Sequence, residues 1–166
     1  MDKYPIQGDP TPFEDIYDRF FGKITDDMYM EWTKEDTEKD LKNILIDAIP
    51  GFEFPRFPLY DYDLTAESFN YHLTSEEINI FALLMYNTWL QRQVASVEQT
   101  RMKYSGSDFK MTSQANHLAK LMELKKEAER QSHHMQRLYK RRKITDENGS
   151  IKSNWSTLCE TSTFDE

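Results

Sequence analysis

The chain has 166 residues, of which 38% are hydrophobic and 13% aromatic, with a formal net charge of -8 and a mean hydropathy of -0.80. That length supports one domain with tails, and the composition supports a small aromatic-rich core beneath much polar surface. The longest strongly apolar run, Ile80 to Tyr86, is far shorter than the roughly 20 residues of a membrane span, so no membrane association is expected.

The charge is sorted along the chain. Met1 to Glu77 holds 19 acidic and 7 basic residues, a net of -12. Ile78 to Thr145 holds 5 acidic and 13 basic, a net of +8, and Asp146 to Glu166 has a net of -4. Sorted charge gives a molecule opposite faces, which attract further copies or a charged partner. The single cysteine, Cys159, excludes an internal disulfide, and the basic-then-apolar pattern of a secretory signal is not seen at Met1.

Residues 1–11, with two prolines and Gly8, read as an N-terminal arm. Thr11-Pro12-Phe13-Glu14 has the form of a capping box with proline at the first helical position. Phe13, Ile16, Tyr17 and Phe20 then form one apolar helix face, ended by Gly22. Thr25 to Trp32 reads as a short aromatic turn. Thr33 to Asp36 caps a second helix with Leu41, Ile44, Leu45 and Ala48 inward, stopped at Pro50-Gly51. Phe52 to Tyr62, rich in aromatics and proline, reads as an extended segment pressed onto the core.

Leu73-Thr74-Ser75-Glu76-Glu77-Ile78 is the clearest local signal: Thr74 caps, Glu77 closes the box and Leu73 staples to Ile78. The helix it opens is apolar on all sides through Ile80 to Tyr86, which marks it as the central buried element. It continues past Trp89 and breaks at Ser105-Gly106-Ser107. A last helix from Met111 to about Arg141, some 42 Å long at about 1.5 Å per residue, packs through Leu118, Leu121, Met122, Leu124 and Ala128. Asn148-Gly149 predicts a hairpin around 144–151. Together these predict an all-α fold: a small bundle of about four helices with a buried central helix, a long basic C-terminal helix and extended arms. The helical domain spans 12–141, and residues 142–166 form a C-terminal arm.

The residues offer little for catalysis. His72, His117, His133 and His134 have no metal-ligand spacing, the glycines are scattered singly, and no nucleophile motif is present. Asp26-Asp27, Glu76-Glu77 and Asp61-x-Asp63 are explained by capping and turns. No catalytic residue, cofactor or metal is therefore expected, and the protein reads as a non-enzyme. The basic cluster Arg137, Lys140, Arg141, Arg142 and Lys143, interleaved only by Tyr139, admits three interpretations. It is a solvated helix end, a dock for an acidic protein surface such as another copy's N-terminal block, or a phosphate contact.

Taken in order, several segments resemble the head–tail connector (adaptor or neck) proteins of tailed bacteriophages. These are the helix ending near Arg19-Phe20-Phe21-Gly22-Lys23-Ile24-Thr25-Asp26, the acidic helix with Leu41 and Ala48, Leu73 to Met85 running into Trp89-Leu90, and Ser107-Asp108-Phe109-Lys110-Met111-Thr112-Ser113-Gln114-Ala115-Asn116-His117-Leu118. The similarity covers about Phe13 to Glu129. It implies a structural virion protein that forms a ring, commonly a dodecamer. Such a ring stacks between the portal of the DNA-filled head and a head-closure or tail-terminator protein. It would sit in the virion neck, after assembly in the host cytoplasm, with DNA passing through its channel without specific binding. In such proteins a C-terminal arm reaches the portal; here Trp155, Leu158, Phe164 and Ile151 are its candidate anchors. The competing expectation is a small nucleic-acid-associated or regulatory helical phage protein that uses its basic C-terminal helix.

Overall fold

The computed structural model describes residues 9–24, 29, 31–104, 111–142, 144–145 and 151–152. The fold is a small, mostly helical bundle of four helices with one small three-stranded sheet. Strand β1 (Thr11–Pro12) leads into α1 (Phe13–Phe21). Next come α2 (Lys34–Ala48), a single 3-10 turn (Ile49–Gly51), β2 (Tyr62–Asp63) and β3 (Ser68–Phe69). The long helices α3 (Ser75–Tyr104) and α4 (Met111–Arg142) follow, then β4 (Ile144–Thr145) and β5 (Ile151–Lys152).

The central helix behaves as its composition dictates. Ile80 to Met85 are all buried, and this part of α3 sits among α1, α2 and the Phe52–Tyr71 segment. Phe13, Ile16, Tyr17 and Phe20 of α1 and Leu41, Ile44, Leu45 and Ala48 of α2 supply their expected apolar faces. The segment after α2 presses onto the core through Phe52 and Phe57, which join Phe69 and Phe81 in a chain of ring contacts with centroids 5.1 to 6.2 Å apart, whereas Tyr60 points outward, 84% exposed. Such edge-on and offset pairs each add to the burial of large apolar rings.

Three expectations are corrected. The Thr11 capping box does not form. Thr11 is a buried residue of β1, which pairs with β3, and the helix is capped by Pro12 without a side-chain bond. The hydroxyl of Thr11 accepts from the Leu73 N–H at 2.7 Å and donates to the Tyr71 carbonyl at 3.1 Å, so it satisfies the strand segment before α3 instead. Second, Met122 and Leu124 of α4 are exposed, at 53% and 49%. The packed stripe runs Leu118, Leu121, Ala128, Ser132, Gln136 and Tyr139, and positions 122 and 124 fall on either flank of it at 3.6 residues per turn. Third, Tyr139 is no surface aromatic but a core residue, 1% exposed, with its ring against Phe52.

The sheet, in the order β1-β3-β2, was not anticipated, because two-residue strands leave no alternation to read. Helices α3 and α4 run antiparallel: Tyr139 near the end of α4 bonds to Glu77 near the start of α3, and Leu90 packs with Leu121 and Ala128 farther along. The predicted hairpin forms its ladder, with Ile144 opposite Lys152 and Thr145 opposite Ile151.

Candidate functional site: two opposed charged clefts

A buried charge hub fixes the start of α3. Glu77 closes the expected capping box, accepting from the Thr74 N–H at 2.7 Å while its own N–H reaches the Thr74 hydroxyl. Its carboxylate has no solvent exposure, and it also accepts from the Arg56 guanidinium and the Tyr139 hydroxyl. Burial pushes the Glu77 carboxyl up, but hydrogen bonds from Arg56, Tyr139 and the Thr74 N–H prevail and hold it below its ordinary value. Burial and the bond to Glu77 push the Tyr139 hydroxyl up. The hub joins the proline-rich segment, α3 and α4. The local sequence pattern accounts for Glu77 as a capping residue alone; the signal for its larger role is Arg56, the one Lys or Arg between Lys42 and Ile78.

Gln136, 1% exposed, makes the second tie. Its side-chain oxygen accepts from the Glu53 N–H at 2.6 Å, and its amide nitrogen donates to the Gly51 carbonyl at 3.2 Å. This clamps the C-terminal end of α2 and its 3-10 turn against the last turns of α4. The clamp builds the first cleft, about 460 Å³, lined by Phe54, Arg137, Lys140 and Arg141. Lys140 places its ammonium 4.1 Å from the centre of the Phe54 ring, a cation–π contact. A neighbouring cleft of about 370 Å³ is lined by Glu53, Arg130, His133 and Arg137, with His133 Nδ1 2.7 Å from Glu53 Oε1. Positions 130, 133, 137 and 141 repeat every three or four residues, so they share one face of α4. Arg130 pairs with Glu127, whose carboxyl is held down at about 2 by hydrogen bonds from Arg130 and Gln131. Arg137 and Arg141 have no carboxylate partner among the described residues.

The second cleft lies at the other end of α2. It has about 410 Å³ and is lined by Glu31, Trp32, Thr33, Asp36, Lys39, Asp40 and Asn43. Thr33 caps α2 as predicted, its hydroxyl accepting from the Asp36 N–H at 3.1 Å. Trp32 is 41% exposed and meets Tyr29 edge-on, and Tyr29 in turn meets Phe21. Tyr29 also donates to Asp40 at 2.9 Å, and Arg92 of α3 pairs with Asp40 and Asp47. Asp36 Oδ2 accepts from the Thr33 hydroxyl at 2.6 Å, and the Glu31 and Asp36 carboxylates lie beside the half-exposed Trp32. The sequence carried this signal as Glu31-Trp32 amid the acidic block, but an aromatic near a helix start reads equally well as core.

Of the sequence-predicted site residues, Arg137, Lys140 and Arg141 come together on the basic cleft. Arg142 is the last residue of α4, and Ile151 lies in β5 opposite Thr145. Lys143, Trp155, Leu158 and Phe164 lie outside the described residues. Of the carboxylate pairs, Asp63 accepts from the Thr65 and Ala66 N–H groups and Asp61 from the Asn70 amide, as turn residues do. Among the described residues no group of three or more His, Cys, Asp or Glu could hold a metal, and no helix is long and apolar enough to cross a membrane. Comparison with family models, curated proteins and solved structures finds no match to the chain.

Proposed function

We propose that the protein is a structural assembly protein, a head–tail connector of the tailed-bacteriophage kind. In this role copies form a ring, commonly a dodecamer, that binds the portal on one side and a head-closure or tail-terminator protein on the other. The ring belongs to the virion neck and assembles in the host cytoplasm. The observation that carries this role is the pair of chemically opposite clefts at the two ends of α2. Opposed, non-identical patches on one subunit make head-to-tail contacts, and these close into rings when the rotation between copies allows. The ordered resemblance from Phe13 to Glu129 supports the same role, and the -12 block from Met1 to Glu77 suits a channel that DNA traverses without sticking.

The test is binding to a portal ring by the full chain and by a chain ending at Lys143. The full chain binds and the truncated one does not, and replacing Trp155, Leu158 and Phe164 together with alanine has the effect of truncation. Undiminished binding by the truncated chain would remove the portal-arm role. A second function, nucleic-acid association or regulation through the basic helix, is favoured by Arg137 and Arg141, which have no carboxylate partner among the described residues and line a cleft with Phe54. It predicts DNA binding that weakens steeply with salt and with neutralisation of Arg141 and Arg142.

A further inference from the structure

We infer that the acidic Trp32 cleft of one copy receives the Arg137–Arg141 face of a second copy, and that this contact is the repeating joint of the assembly. The two surfaces are complementary in charge and in chemistry. Glu31 offers its carboxylate, and Asp36 the oxygen that the Thr33 hydroxyl does not use, in a cleft with the half-exposed Trp32. Arg137 and Arg141 offer two guanidinium groups, one helical turn apart, without carboxylate partners among the described residues. Guanidinium pairs with carboxylate in a fork and stacks on an aromatic face, so one arginine can satisfy both features of the cleft.

Geometry assigns the contact to a second copy rather than to the same chain. Gln136 holds the basic face at the Gly51–Glu53 end of α2, whereas Glu31 to Asp36 lie at its beginning. Fifteen helical residues separate those ends by on the order of 20 Å, beyond the reach of an arginine side chain. The basic patch and the acidic patch are different surfaces, so every copy joined this way leaves one of each free. The chain extends until it closes. Placement of this joint inside a neck ring rests on the connector role proposed above; the pair contact stands on the two clefts themselves.

A mixing experiment tests it. One variant, Glu31→Gln with Trp32→Ala and Asp36→Asn, disables the acidic cleft; Asn at 36 keeps a hydrogen-bonding side chain in the first turn. The other, Arg137→Gln with Arg141→Gln, disables the basic face. Sedimentation velocity is run on the full-length proteins at about 0.3 mM and an ionic strength of about 0.05 M, where screening is weak and a joint of modest affinity is populated. Wild type is expected to form species larger than a dimer that dissociate as salt rises. Each variant alone is expected to be a monomer, and their equimolar mixture a 1:1 complex that grows no further. Trp32→Ala alone is expected to weaken the wild-type association by about 30-fold or more. Melting temperatures within a few degrees of wild type establish that the variants fold.

A wild-type chain that stays monomeric under these conditions overturns the inference. So does a mixture that stays monomeric, or single variants that associate as wild type does. These failures are distinguishable from failure of the connector role. Particles that contain the protein and incorporate both variants normally would retain the connector and discard this joint.

Discussion

Removing the Glu77 carboxylate should be among the most damaging single changes to the described core. The side chain is fully buried and accepts from Arg56, Tyr139 and the Thr74 N–H. Glu77→Ala removes the carboxylate to which the buried Tyr139 hydroxyl and the Thr74 N–H donate, and leaves a guanidinium whose side chain is only 20% exposed without its counter-charge. Losing the acceptor of a buried donor costs up to about 1–3 kcal/mol, and breaking a buried ion pair about 3–5 kcal/mol. Arg56 retains a route to water, which places the expected loss near the lower end, about 3 kcal/mol. For a domain of this size that lowers the melting temperature by roughly 6–12 °C. The pH dependence has a definite sign. The folded-state pKa of Glu77 is depressed, so its contribution is present above the unfolded carboxyl value and is lost as pH falls through the folded one. Chemical denaturation of wild type and Glu77→Gln from pH 7 downward should therefore show the two curves converging in acid. A loss below about 1 kcal/mol for Glu77→Ala at pH 7, or a Glu77→Gln difference that persists unchanged at low pH, would refute the idea that this hub organises the three segments.

Four smaller perturbations test other parts of the account. Thr11→Val should cost about 1–3 kcal/mol by denaturant titration, because the buried Leu73 N–H loses its acceptor, and Thr11→Ser should recover most of it. Gly51→Ala should cost about 1 kcal/mol, since an added Cβ would meet Leu84 Cδ2 at 3.0 Å and force that side chain to move. Gln136→Ala should lower the melting temperature by a few degrees and also loosen head-to-tail association, because the clamp that presents Arg137 and Arg141 is gone. Met122→Ser with Leu124→Ser should leave stability within about 0.5 kcal/mol, as both side chains are half exposed.

Long-period features were legible in the sequence. The amphipathic stripe of α1, the Thr33 and Thr74 caps, the all-round apolar centre of α3 and the span of α4 each follow from local rules acting within one element. Features that depend on distant segments meeting were not. Thr11 looked like a helix cap because capping is a local pattern, but its hydroxyl is used by Tyr71 and Leu73, sixty residues away. Tyr139 looked like part of a basic surface because its neighbours are cations, yet the i, i+3, i+4 stripe from Leu118 points it at Phe52. The two clefts fall between these cases. The sorting of charge announced that opposite surfaces exist, and Arg137, Lys140 and Arg141 were legible as one of them. The other needed the fold, which leaves Trp32, edge-on to Tyr29, 41% exposed in one cleft with Glu31 and Asp36.

The connector role is tested most directly by quantitative mass spectrometry of tailed particles purified from cells that express the genome encoding this chain. The account predicts the protein in intact particles at about one copy for each portal subunit. The protein abundant in infected cells but absent from purified particles would contradict it, and would leave Arg137 and Arg141 of α4 to a nucleic-acid or regulatory role.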